Sequence, residues 1–166
     1  MDSKIVDREI AKTILPYLRE KDFSINTRRN FWRYFDDRVE VINFQSFNQR
    51  TADIIGCTSF SFAINLGEFY FCIPTEQIKT KNEQLIPEEY ACHLRRVLEK
   101  SSPQKQCSRQ DIFYVEENGA NLEEVINEAL FCIKNEGFAW FERFSEWFEI
   151  SFDLGSRSKR TCINSA

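Results

Sequence analysis

An α+β domain, with a central antiparallel sheet between an N-terminal helix and C-terminal helices, is what this chain predicts. Three observations carry the expectation. Phe60, Phe62, Ile64 and Leu66 alternate with Ser61, Ala63 and Asn65, the period-two pattern of a sheet with one face on a core. Helical periodicity belongs to the two ends, in Val6, Ile10, Ile14 and Leu18 early and in Leu122, Val125, Ile126, Ala129 and Ile133 late. The resulting order of helix, strands and then helices places the helices on one face of the sheet.

Taken in order, residues 3 to 20 form an amphipathic helix, its stripe widened by Ala11 and Leu15, with Pro16 as a kink or the start of its last turn. After the turn Glu20-Lys21-Asp22 and a polar stretch from Ser24 to Arg29, the aromatics of Asn30 to Phe35 favour a strand. Asp36-Asp37 turns the chain into a second strand, 38 to 47, completing a hairpin. Residues 48 to 56 read as a polar loop ending at Gly56, and 57 to 66 as a third strand. Gly67-Glu68 is expected to turn or bulge the chain into a fourth strand, 69 to 73, which Pro74 stops.

Residues 74 to 87 are polar and long for an internal connection, a flap or irregular excursion. Residues 90 to 98 fit a helix through Tyr90, Leu94, Val97 and Leu98, yet Ala91 to Arg95 fits a short strand equally well, and periodicity leaves both open. A second polar loop, 99 to 110, leads to a short buried strand, Ile112 to Val115, closed by Glu116 to Gly119. Asn121 with Glu124 resembles a capping box before a helix that Gly137 stops. A short aromatic helix with Phe138, Trp140, Phe141 and Phe144 follows, and Ser145 caps a further turn or two carrying Trp147, Phe148 and Phe152. The expectation is a sheet of about five to six strands, one domain over residues 1–155, and a flexible polar tail over 156–166.

A net charge of -4 argues against general binding to nucleic-acid phosphates or anionic membranes. Six cysteines stand far apart with no C-x-x-C pair, so they read as free thiols of a reducing cytosol. No secretory signal pattern opens the chain, and the longest apolar runs fall far short of the roughly 20 residues of a membrane span. A soluble, cytoplasmic protein without cofactor is the expectation.

Few residues carry chemistry. Cys92-His93 has the composition of a thiol dyad, but neighbours in a strand point to opposite faces and on a helix diverge by about 100°, so they do not reach each other. A structural zinc site needs soft ligands in close pairs, which the single histidine and scattered cysteines do not supply. The acidic pairs Asp36-Asp37, Glu88-Glu89, Glu116-Glu117 and Glu123-Glu124 stand at turns and element ends, where carboxylates serve as ordinary helix-dipole partners. Sixteen phenylalanines could stack bases, but most sit at core-periodic positions, and arginine groups such as Arg28-Arg29 and Arg95-Arg96 read as solvated surface charge.

That leaves the amides. Asn43 and Gln45 share a strand face with Val39, Val41 and Phe47, while Ile42 and Phe44 take the other face. Either Asn43, Gln45 and Asn65 tie neighbouring loops together, or they line a small polar pocket with the Ser61 and Ala63 face, with Trp32 or Arg33 at its rim and His93 and Arg95 nearby. A buried amide needs partners in both cases, since an unsatisfied one costs about 1–3 kcal/mol.

Six elements stand in order along nearly the whole chain: Phe31-Trp32-Arg33, Val41 to Ser46, Ile64-Asn65-Leu66-Gly67, Cys92 to Arg96, Asp111 to Val115 and Gly137 to Glu142. In these the chain resembles a bacterial domain-of-unknown-function family, DUF4304. Departures are Phe113-Tyr114, where a tryptophan pair is common, and Ala139, where proline is usual; both look like packing variation. The family carries no established activity, so the resemblance implies a fold and a bacterial cytosolic setting. Small orphan α+β domains include immunity proteins that block toxins, an argument by association. The expected function is therefore a non-enzymatic binding domain for a protein partner, immunity-like, recognising through its acidic surface and loops 74–87 and 99–110. The alternative is a small-ligand binder or enzyme using the amide pocket.

Overall fold

The stripe of Val6, Ile10, Ile14 and Leu18 forms a helix that the backbone divides in three. In the computed structural model, which describes residues 3–75, 80–81, 84–100 and 106–143, α1 (Ser3–Glu9), a π-helical turn (Ile10–Ile14) and α2 (Leu15–Glu20) run on without a break. All four stripe residues are fully buried. Pro16 accounts for the π turn. It has no N–H for the Lys12 carbonyl four residues back, and its ring crowds that carbonyl. The wider turn, in which the Leu15 N–H reaches back to the Ile10 carbonyl, makes room where the proline enters the first turn of α2.

Five antiparallel strands follow in the spatial order β1-β2-β3-β4-β7. They are β1 (Ile25–Asn26), β2 (Asn30–Tyr34), β3 (Arg38–Ser46), β4 (Phe62–Tyr70) and, later, β7 (Leu94–Val97). A separate two-stranded ribbon pairs β5 (Thr80–Lys81) with β6 (Gln84–Leu85). Because β1 has only two residues, the sheet holds four strands of substance, fewer than the five to six expected. The hairpin of β2 and β3 is as predicted, but the third and fourth expected strands are one. Gly67 and Glu68 do not turn; they lie inside β4, opposite Val41 and Glu40. A Cβ on Gly67 would stand 2.6 Å from the Cys92 Sγ, so the glycine permits a close approach rather than a bend. Segment 112–115 contributes a single bridge, Phe113 to Phe62, with the two rings stacked at 5.4 Å.

One sheet face carries Phe31, Ile42, Phe44, Phe62, Ile64 and Leu66, which form one core with the N-terminal helix and with α4 (Leu122–Cys132). The opposite face carries two smaller cores. Trp32, Val39, Val41, Phe69 and Cys92 make one. Phe47, Ala63, Cys107 and Ile112 make the other, with Ala52 of α3 (Gln49–Ile55).

Helix α3 replaces the polar loop expected at 48–56. Asn48 caps it by accepting from the Thr51 N–H at 2.9 Å, and Gly56 ends it at φ 80°, the left-handed conformation glycine adopts freely. Only Ala52 is buried, so no apolar stripe announced the helix. Residues 89–98 resolve into a 3-10 turn, Glu89–Ala91, followed by β7. Asn121 does not cap α4; its side chain accepts from the Glu116 N–H at 2.8 Å and donates to the Tyr114 carbonyl at 3.0 Å, closing the loop before the helix. Nor does Gly137 stop the helix. It ends a second π turn, Ile133–Gly137, after which helix continues through 138–143; unlike Gly56, Gly137 does not take a positive φ, so the backbone stays helical. The turns expected at 144–155, the tail at 156–166, and parts of loops 74–87 and 99–110 lie outside the described residues.

A polar pocket on the open sheet face

Strand register builds the site. Asn30 of β2, Asn43 of β3 and Asn65 of β4 are direct cross-strand partners, so three amides stand in a row on the face opposite the helices. Each bonds the next. Asn43 Nδ2 donates to Asn30 Oδ1 at 2.7 Å, and Asn65 Nδ2 donates to Asn43 Oδ1 at 3.1 Å and to Gln45 Oε1 at 2.9 Å. Bonds in such a chain polarise one another. The Gln45 amide protons and the Asn65 Oδ1 are left without a hydrogen-bond partner among the described residues.

Beside this row opens a cleft of about 340 Å³ lined by Asn43, Gln45, Asn65, Glu88, Glu89, Tyr90 and Arg95. Its far wall is the strap that leads into the 3-10 turn. Trp32 Nε1 donates to the Pro87 carbonyl at 2.8 Å and Tyr34 Oη to the Leu85 carbonyl at 2.8 Å, pinning the strap to the sheet. Cys92 packs over Gly67 behind it. Arg95 Nε and Nη2 meet the two Glu89 carboxylate oxygens at 2.7 and 3.3 Å, the planar fork geometry that favours arginine at such sites. Tyr90 is 68% exposed.

The structure thus brings together four of the seven residues expected at a pocket, Asn43, Gln45, Asn65 and Arg95. The other three stand elsewhere. Trp32, expected at the rim, is buried beneath the strap. Arg33 points to the helix-bearing face, because it pairs across the strands with Glu40 and contacts it there. His93 lies outside the lining: Nδ1 accepts from the Tyr70 N–H at 3.0 Å and Nε2 meets Thr75 Oγ1 at 2.8 Å, and burial lowers its pKa. Asn30, Glu88, Glu89 and Tyr90 were not anticipated. Asn30 was legible, since a hairpin turning at Asp36-Asp37 sets it opposite Asn43; the other three reach the cleft only through the strap.

Residues 14–143 match the model of a family described as a domain of unknown function, DUF4304. The chain belongs to that family. The matched stretch contains every residue of the cleft. No curated protein and no solved structure matches the chain.

Thiol chemistry finds no support in the DUF4304 site. Burial pushes the Cys92 thiol up to about 12, far from the thiolate that a nucleophile needs, and its Sγ faces the Glu88 carbonyl at 3.7 Å. The five described cysteines are free. Among the described residues no group of three or more His, Cys, Asp or Glu is placed to hold a metal ion, and no helix is long and apolar enough to cross a membrane.

A second polar cluster sits inside the protein, on the helix-bearing face. Glu40 and Glu68 are cross-strand neighbours, 1% and 0% exposed. Arg33 binds Glu40 through Nε at 2.8 Å and through Nη2, while its guanidinium lies 5.1 Å from the Phe23 ring centroid and 5.2 Å from that of Phe138. Tyr70 Oη donates to Glu68 Oε2, and Glu68 Oε1 has no hydrogen-bond partner among the described residues. Burial first, then the Glu40 charge, raise the Glu68 pKa to about 7, against the Tyr70 bond and the Arg38 charge. Sequence reading missed this cluster because it assigned Glu68 to a turn.

Proposed function

We propose that this DUF4304 chain is a non-enzymatic binding domain and that the amide cleft is its binding site. One observation carries the reading: three strands and a pinned strap converge polar side chains on a small concavity, and the amides hold each other in place. Fixed first-contact groups of this kind lower the entropy lost on binding, and a few convergent polar groups in a cleft are the usual mark of a ligand site. His93 has both ring nitrogens engaged and Cys92 is held as a thiol, which favours binding over catalysis.

A protein partner, including a toxin met by an immunity-like domain, is the second reading. Tyr90 and Val97, 68% and 42% exposed on the turn and edge strand beside the cleft, favour it, since exposed tyrosines are enriched at interfaces. In that case a partner side chain enters the cleft. A bacterial cytosolic setting belongs to the same proposal and is supported by the family resemblance.

Side-chain amide signals in 15N-labelled protein test the site. A mixture of polar metabolites, or host extract, should contain a binder that shifts the Asn43, Gln45 and Asn65 amide signals, and Gln45→Ala with Arg95→Ala should weaken it by about tenfold, the loss of one good hydrogen bond or so. A stoichiometric binder, small or protein, whose affinity ignores both substitutions would remove the cleft from the proposal.

A further inference from the structure

The chemistry of the cleft narrows what fits it. Its groups without a hydrogen-bond partner among the described residues are of both kinds: the Gln45 Nε2 protons donate, and the Asn65 Oδ1 accepts. A hydroxyl group answers both at once, because it carries one donor and two acceptor sites. An apolar ligand would strand these amides without partners.

Charge points the same way. Arg95 already holds Glu89 through two bonds, and Glu88 stands on the same wall. An incoming anion would have to displace one carboxylate and face another. A neutral group meets no such cost. It can use the outer edges of the Arg95–Glu89 pair, where hydrogen bonds to ionised partners are roughly twice as strong as neutral ones.

Tyr90 supplies the remaining element. The residue is 68% exposed at the cleft, its ring stacked on no other among the described residues, on a 3-10 turn held by the strap. The negative face of an aromatic ring attracts the weakly positive C–H groups of a saturated ring laid upon it. The volume, about 340 Å³, lies at the small end of ligand sites, enough for one or two such rings.

We infer that the ligand class of the cleft is a neutral, hydroxyl-rich ring, the chemistry of a monosaccharide or short oligosaccharide unit, stacked on Tyr90 and hydrogen-bonded by Gln45, Asn65 and the Arg95–Glu89 pair. The inference rests on the cleft being the binding site. A zwitterionic amino acid is the nearest competitor. It is disfavoured because its carboxylate would compete with Glu89 for Arg95.

The test is a titration of the full 15N-labelled chain with a panel of neutral monosaccharides and their disaccharides, with glutamine and glutamate in parallel. At least one sugar should bind saturably, shifting the Gln45 and Asn65 side-chain amides and the backbone of Glu89 to Ala91. Tyr90→Ala and Gln45→Ala, both at exposed positions, should each weaken that sugar by about fivefold or more in protein that remains folded at the titration temperature. If no sugar binds, or if the variants bind it unchanged, the sugar assignment is overturned. Should glutamine or glutamate then shift the same amides and lose binding in Arg95→Ala, the cleft stands as a site for charged ligands. If neither class shifts those amides, the assignment of the cleft falls with it.

Discussion

Glu68 offers the sharpest test of the packing, through the substitution Glu68→Gln. The carboxyl is 0% exposed, faces Glu40 across the strands, and has its pKa raised from 4.5 to about 7, mainly by burial. The folded protein therefore keeps a proton that the unfolded chain gives up near pH 4.5. Stability from this group is fully present below that value, is lost as pH rises to about 7, and is flat beyond. Between pH 5 and pH 8 the span is about 2 pH units, and at 1.36 kcal/mol per unit the loss is about 2–3 kcal/mol. Glutamine cannot titrate, and its carbonyl can still accept from Tyr70. Urea unfolding of both proteins at pH 5, 6, 7 and 8 measures the difference. Wild type should fall by about 2–3 kcal/mol more than the variant across that range. His93, whose pKa is lowered, adds stability as pH rises in both proteins and cancels in the comparison. Parallel profiles, within about 0.5 kcal/mol, would refute the claim that burial holds this carboxyl neutral.

Three further outcomes follow from named contacts. Asn65→Asp removes the donor to both Asn43 and Gln45 and sets a carboxylate against two acceptor oxygens, so unfolding at pH 7 should show a loss of about 2–3 kcal/mol; acidification, by returning one donor, should shrink it. Gly67→Ala drives a Cβ to 2.6 Å from the Cys92 Sγ and should cost about 1–3 kcal/mol as an overpacked site. Adding Cys92→Ala should recover part of that cost, and a strictly additive double mutant would contradict the contact. Alkylation followed by mass spectrometry should modify the exposed Cys72 in native protein while Cys92 and Cys132, both buried, react only once denaturant is added; prompt native labelling of Cys92 would overturn its placement under the strap.

Legibility tracked how local each signal was. The helices at 3–20 and 122–132 and the β2–β3 hairpin were readable because each repeats an apolar or turn pattern over several residues. Helix α3 was not, because it buries only Ala52 and its signals were the caps Asn48 and Gly56. Gly67 and Gly137 misled because glycine marks a break only where φ is positive, and neither adopts such a φ. Gly67 marks a close approach to Cys92 instead, and helix runs on past Gly137.

The site divides along the same line. Alternation along β3 and β4 sufficed to put Asn43, Gln45 and Asn65 on one face, since side chains in a strand alternate by geometry alone. It could not say that this face opens into a cleft, nor that Arg33 belongs to the other face and Trp32 beneath the strap. Those outcomes depend on cross-strand register and on the strap at 84–92, which Trp32, Tyr34 and the space left by Gly67 hold against the sheet. By itself, the sequence determined the α+β class, the hairpin and the facing of the amides, because these arise from contacts between near neighbours. The cleft and the buried Glu40–Glu68 pair were decided only by tertiary structure, because each brings together strands or a turn that no local periodicity connects.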